Sequence, residues 1–123
     1  MLEGKDHRIE AFDLTHVDAI PPWLKHLASE IGPVHGLVHC AGIQITKPLR
    51  FQTCDDLNTL LRINLDAAFG LAKGFRQKGV CAQNGRLVFL SSVMGLVGHA
   101  GISAYAASKG AIISLTKSLA MEI

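Results

Sequence analysis

The sequence predicts an α/β domain built around a parallel sheet, and three observations carry that expectation. Short apolar runs rich in β-branched residues, at 34–40 and 86–90, alternate with longer stretches of helical period. Each run ends in small or hydroxyl residues, Ala41-Gly42 after the first and Ser91-Ser92 after the second. The 123 residues are 49% hydrophobic and 18% charged, enough for a buried core and at most one domain, 1–123.

The elements follow in order. His7-Arg8-Ile9-Glu10-Ala11-Phe12-Asp13-Leu14 alternates polar and apolar residues and reads as a first short strand. Asp13 then falls at its carboxyl end, where open α/β sheets bind ligands. A turn or helix N-cap aspartate is the competing reading. Residues 17–31 follow a helical period, with Ile20, Trp23, Leu24, Leu27 and Ile31 on one face. Pro21-Pro22 suit its first turn, where missing amide hydrogens do no harm, and Gly32-Pro33 ends it. Residues 34–40 form a second strand that runs into Ala41-Gly42, where backbone can approach a ligand closely.

A loop over 44–51 precedes Thr53, an N-cap residue followed by Asp55 and Asp56 in the first helical turn. The helix it opens is expected to run to about residue 78, with Gly79 as its stop. That helix is apolar on two faces: Leu57, Leu60, Leu61, Leu65, Ala68, Ala72 and Phe75 on one, and Ile63, Ala67, Gly70, Leu71 and Gly74 on the other. One face suits the sheet and the other a second subunit, so a homo-oligomer through the 55–78 and 103–122 helices is expected. Asn64 sits among these apolar residues and costs stability unless its amide is bonded. Asn84-Gly85 reads as a turn before a third strand at 86–90, and a final helix with a small-residue face covers 103–122. The sum is about three strands and three to four helices.

Tyr105 and Lys109 stand four apart at the start of that last helix, hence on one face, one above the other. An ammonium beside a phenol favours the phenolate. Ser92, at the end of the preceding strand, can hydrogen-bond an oxygen that gains or loses charge. Together the three form a proton-transfer site for carbonyl and alcohol chemistry near neutral pH.

Composition excludes several alternatives. A net charge of +2 with no Lys/Arg run does not suit nucleic acid. The apolar stretch after Leu87 is broken by serines and glycines and is too interrupted to span a membrane. The start, Met1-Leu2-Glu3-Gly4-Lys5-Asp6, is polar and reads as lacking a signal peptide. Cys40, Cys54 and Cys81 lack metal-ligand spacing and fit reduced thiols in a cytoplasmic protein, and no His pair suggests a zinc site. A serine hydrolase using Ser92 and His99 lacks the Gly-x-Ser-x-Gly turn.

Taken with its setting, Tyr105-Ala106-Ala107-Ser108-Lys109 resembles the Tyr-x-x-x-Lys motif of the short-chain dehydrogenase/reductase family, of the 3-oxoacyl-acyl-carrier-protein reductase type. The family's serine, thirteen positions before the tyrosine, falls on Ser92. Its Asn-Asn-Ala-Gly matches His39-Cys40-Ala41-Gly42, with both asparagines replaced, and its helix asparagine matches Asn64 in Asn64-Leu65-Asp66-Ala67-Ala68-Phe69. The resemblance implies a partial Rossmann-like doubly wound parallel sheet that lacks the N-terminal Gly-rich βαβ unit and the C-terminal strands. No Gly-x-x-x-Gly-x-Gly follows an N-terminal strand to cradle a pyrophosphate.

It also implies an oxidoreductase that interconverts a ketone and a secondary alcohol with NAD or NADP. Tyr105 is then the general acid/base, Lys109 lowers its pKa and binds the nicotinamide ribose, and Ser92 orients the carbonyl. Asn64 holds a water linked to the lysine. Asp13 and Leu14 belong beside the adenine, with Cys40, Ala41 and Gly42 as backbone contacts. The sequence resembles the middle of a chain about twice as long, so little activity and weak cofactor binding are expected of the 123 residues alone. The other reading is a catalytically inactive remnant serving as an oligomerisation or interaction module. With two family strands lacking between the 7–14 and 34–40 strands, the former would re-pair with the latter, stay unpaired, or leave a gap for another chain.

Overall fold

The computed structural model describes residues 7–122. The polar start of the chain lies outside them. In order come α1 (Ile20–Ile31), β1 (Val34–His39), α2 (Cys54–Leu61), a π-helical segment Arg62–Asp66, α3 (Ala67–Phe75), β2 (Cys81–Phe89) and α4 (Ser103–Glu122). Short 3₁₀ turns at Val17–Ala19, Leu49–Phe51 and Val93–Gly95 punctuate the loops. Among the described residues the sheet is two-stranded and parallel, β1 beside β2. This is an open, partial Rossmann-like arrangement.

The helix signals in the sequence translate directly. The two prolines occupy the first positions of α1, and Gly32, at φ 88°, closes it by donating its N–H to the Ala28 carbonyl at 3.0 Å. Thr53 caps α2 in a reciprocal pair with Asp56: the Thr53 hydroxyl accepts from Asp56 N, and the Asp56 carboxylate accepts from Thr53 N. The long helix expected over 53–78 is a composite of α2, the π segment and α3, and α-helical geometry ends at Phe75.

α3 is buried on nearly every side: Ala67, Ala68, Gly70, Leu71, Ala72, Gly74 and Phe75. The face that carries Gly70 and Gly74 is covered within the chain by α1. A Cβ on Gly74 would lie 2.8 Å from Leu24 Cδ1 and 3.0 Å from Pro21 Cα, and one on Gly70 would lie 3.1 Å from both Ile20 Cδ1 and Val17 Cγ1. Glycine spacing lets the two helix backbones meet over a core of Ile20, Leu24, Ala28, Ala67, Leu71 and Val80. Each large member of that core contributes about 1.5–3 kcal/mol by leaving water.

Two sequence expectations about strands are corrected. Residues 7–13 form no strand; the segment leads into a turn at Leu14-Thr15. A strand needs a partner for its amides and carbonyls, and β1 pairs only with β2 among the described residues. Side chains hold this segment instead. Phe12 stacks on Trp23 with centroids 4.3 Å apart, Arg8 pairs with Glu30 at 2.7 Å, and Arg62 Nε donates to Thr15 O at 2.8 Å.

The third strand is longer than the expected 86–90. It starts at Cys81, and Asn84-Gly85 is a kink inside it rather than a turn before it. Asn84 takes φ 60°, and the register jumps from Val34↔Cys81 to Gly36↔Arg86 across it.

The sheet buries its face toward the helices and exposes the other. Leu37, His39, Leu87 and Phe89 point inward, while Val38 (58% exposed), Val88 (48%) and Leu90 (45%) point out. The carboxyl ends of both strands therefore stand at one edge of the helical layer, with the 40–47 and 90–102 loops leaving from them.

Candidate active site

The site grows from those two strand ends. Beyond β1, Cys40, Ala41 and Gly42 are exposed, and the chain then passes under the π segment. There Asn64, 1% exposed, hydrogen-bonds both ways with one residue of that loop. Ile43 N donates to its Oδ1 at 2.8 Å, and its Nδ2 donates to Ile43 O at 3.0 Å. The same Nδ2 reaches Ser108 Oγ on α4 at 2.9 Å, and Ser108 donates to Tyr105 O at 2.7 Å. One amide thus joins the loop after β1, the π segment and the helix that carries Tyr105. The extra residue per turn in a π segment turns Asn64 inward without ending the helix.

Gly42 leaves little room for a side chain. A Cβ there would stand 3.2 Å from Asn64 Oδ1 and 3.5 Å from Lys109 Nζ, so amide and ammonium flank this glycine.

Beyond β2, Ser91 Oγ donates to Lys109 O at 2.7 Å, and Ser92 starts the Val93–Gly95 turn by accepting from Met94 N at 3.2 Å. Ser92 keeps its own O–H free of any protein acceptor among the described residues. Gly95 lies against the α4 backbone: a Cβ would fall 2.7 Å from Lys109 C and 2.8 Å from Gly110 N. The loop after β2 and the first turns of α4 are therefore locked together at Lys109.

Lys109 is 7% exposed, and its ammonium donates to one protein group, Leu90 O, at 2.7 Å. It stands 6.0 Å from the Tyr105 ring centroid, and no carboxylate pairs with it among the described residues. Two of its three N–H bonds remain for a ligand. Burying an ammonium without an anion is costly. Tyr105 is half-buried, with its hydroxyl unbonded to protein among the described residues.

Asp13 and Leu14 stand apart from this cluster. Asp13 Oδ1 accepts from both Thr15 N (2.9 Å) and Thr15 Oγ1 (2.8 Å), and the backbone bond first, then the hydroxyl, holds its carboxyl below the ordinary range. The turn reading of Asp13 is thus satisfied, while Leu14 packs its side chain on the core. The segment reaches the cluster through Arg62, two residues before Asn64. His99, exposed, shares Nδ1 with the neighbouring Ala100 O, and no bond joins it to Ser92; the hydrolase pairing has no support.

Three contributors escaped the sequence reading: Ser108, Ser91 and Gly95. Ser108 had a legible signal, a small polar residue directly before Lys109 and three after Tyr105. Ser91 and Gly95 act through backbone contacts that sequence spacing does not report.

A parallel strand pair with open strand ends, and Tyr105 and Lys109 on the helix that follows, place this chain among α/β proteins of Rossmann-like build. Comparison with known proteins agrees. The family model for short chain dehydrogenases matches residues 2–123, and the chain belongs to that family. It is 32% identical over 120 residues to a 3-oxoacyl-[acyl-carrier-protein] reductase of Vibrio harveyi, covering 98% of this chain and 49% of that protein. It is 30% identical to a gluconate 5-dehydrogenase of Gluconobacter oxydans, covering 98% and 47%.

Among solved structures, a Burkholderia cenocepacia gluconate 5-dehydrogenase in complex with NADP and tartrate superposes with a TM-score of 0.80 at 29% identity, covering 90% of this chain and 44% of that one. A blue fluorescent protein from a metagenomic library, in complex with NADPH, gives 0.82 at 30% identity, covering 89% and 44%. The chain thus spans about half the length of the curated relatives it matches. The family uses NAD or NADP. No helix among the described residues is long and apolar enough to cross a membrane.

Proposed function

We propose that this chain carries the proton-transfer half of an NAD(P)-dependent oxidoreductase that interconverts a ketone and a secondary alcohol. The observation that carries the reading is Lys109: buried, without a carboxylate, bonded to one strand-end carbonyl and facing the Tyr105 ring. The donor set fits the nicotinamide–ribose end of the cofactor, because Lys109 keeps two donors and Gly42 brings bare backbone beside them. A Gly-rich pyrophosphate turn is not part of this sequence. Asp13 and the backbone at Leu14, Cys40, Ala41 and Gly42 are the remaining contacts we assign to the cofactor.

Bound nicotinamide supplies the hydride. In the reducing direction the Tyr105 hydroxyl gives its proton to the carbonyl oxygen as the carbon accepts that hydride, leaving a secondary alcohol. Lys109 holds positive charge beside the resulting phenolate, and the free O–H of Ser92 donates to the same substrate oxygen. Asn64 acts through others: it fixes the loop holding Gly42 and the helix holding Tyr105, and in the same reading anchors a water linked to Lys109. A small-molecule carbonyl or alcohol in the cytoplasm is the substrate class.

The test supplies the missing length. A chimera of this chain with the N- and C-terminal parts of a matched reductase is expected to oxidise NADPH with a ketone substrate. Tyr105→Phe in that chimera should lower turnover about 10²–10⁴-fold, and unchanged turnover refutes the role. A second reading, an interaction module, draws on the bare sheet face at Val38, Val88 and Leu90. It requires co-elution with a full-length family member in size-exclusion chromatography.

A further inference from the structure

The helix that carries Tyr105 starts without a side-chain cap of its own. α4 begins at Ser103, and Ile102 before it has no side-chain oxygen to accept from the first free N–H groups. Tyr105 is the third residue of that helix, within the turn where helices fray. The bond from Ala106 N to Ile102 O, at 2.8 Å, closes this turn.

A side chain from outside the helix holds the turn instead. Gln52 Oε1 accepts from Ser103 Oγ at 3.0 Å. Gln52 Nε2 donates to Lys47 O at 2.7 Å and, at a longer 3.4 Å, to Gly101 O. Gly101 O also accepts from Lys47 N at 2.8 Å. One amide thus spans the loop after β1, the loop after β2 and the first residue of α4. Its root is fixed as well. Gln52 N donates to Leu49 O at 3.1 Å, the next residue, Thr53, caps α2, and Lys47 Nζ donates to both carboxylate oxygens of Asp56 at 2.9 Å.

We propose that Gln52 is a positioning residue for Tyr105: it pins the first turn of α4 to the segment that leaves β1, so that the phenol keeps its place relative to Gly42 and Ser92. The inference rests on the proton-transfer reading of Tyr105. Among the described residues no hydrogen bond joins Gln52 to Tyr105, so it acts through Ser103 and Gly101. Asn64 makes a separate tie further along the same helix, from Ile43 to Ser108. An apolar residue of similar size at 52 would take the donor from Lys47 O and the acceptor from Ser103, and would leave Gly101 O to Lys47 N alone.

The first test uses the chain alone and needs no cofactor. Tyr105 is the one tyrosine of the sequence, so its ring resonances are assigned without ambiguity. In Gln52→Leu those resonances should move or broaden. Exchange of the Lys47 and Ala106 amides should rise about tenfold, the effect of losing one net hydrogen bond. The Ile43 amide, held by Asn64, should keep its protection. Unmoved Tyr105 resonances overturn the proposal. A rise that reaches Ile43 by the same factor marks a merely structural residue and overturns it too.

Ser103→Ala, at an exposed position, is the second variant. It removes the bond to Gln52 and should raise exchange at Ala106 while Lys47 stays protected; no rise at Ala106 overturns the tie. In the chimera, Gln52→Leu should lower turnover of the ketone about tenfold with KM for NADPH unchanged, and unchanged turnover overturns the proposal. Tyr105→Phe can leave turnover intact while Gln52→Leu still moves the Tyr105 ring, or the reverse, so failure of the proton-transfer reading is told apart from failure of this one.

Discussion

Replacing Asn64 by alanine should unlatch the site more than any surface change. Its amide makes three hydrogen bonds from a 1%-exposed position, to Ile43 N, Ile43 O and Ser108 Oγ. Each such bond is worth about 0.5–1.5 kcal/mol net, and a buried group left unpaired costs about 1–3 kcal/mol. Water entering the space left by the amide can rescue part of this, so the expected loss is about 3 kcal/mol. Against a total stability on the order of 5–10 kcal/mol, that is a large share.

Urea unfolding followed by circular dichroism reads it. With a slope of about 1.5 kcal/mol/M the midpoint should fall by roughly 2 M without a change in slope. Hydrogen exchange at the Ile43 amide should rise with it, because that N–H bonds to Asn64 Oδ1. A midpoint shift under roughly 0.5 M at constant slope, with Ile43 still protected, refutes the idea that this amide couples loop, π segment and α4.

Two further outcomes test the surroundings. Gly95→Ala puts a methyl 2.7 Å from Lys109 C and 2.8 Å from Gly110 N, both backbone, so α4 must shift; the expected cost is about 1–3 kcal/mol, read as a urea midpoint, and an unchanged midpoint shows that the loop yields instead. For Asp56, the Lys47 ammonium at 2.9 Å first, and then the Thr53 backbone N–H, hold the carboxyl below 3.8. Its contribution is present above that value and is lost as pH falls through the lower folded-state one. The stability gap between the parent and Asp56→Asn should therefore be constant from pH 7 to about pH 4 and close below it; a gap that persists at about pH 2 removes the ion pair as its cause.

Helices were legible here because their signals are local. Prolines at the start of α1, Gly32 after its end, and Thr53 with Asp56 three residues on each act within one turn of chain. The 103–122 helix appears with the bounds its composition implied. Strand 7–14 failed for the opposite reason. Alternation records which side chains face a core, and Phe12 and Leu14 do pack on it. A strand also needs hydrogen-bonding neighbours, about which the pattern says nothing. The kink at Asn84 was half legible: Asn-Gly signalled positive φ, and the structure uses it to bend one strand rather than to join two.

The same distinction explains which parts of the site were visible beforehand. Tyr105 and Lys109 share a helix face by spacing alone, so their proximity follows from the sequence. Lys109's seat does not, since it depends on Leu90 O, Ser91 Oγ and the bare α carbon of Gly95, all from one loop whose path is set by β2. Asn64 lies between these cases. Its isolation among apolar residues announced that the amide must be satisfied, while the π segment that lets it reach Ile43 and Ser108 became visible only in the fold. A polar residue in such a place identifies a demand for partners, and the tertiary structure decides that these partners are the loop after β1 and the helix that carries Tyr105 and Lys109.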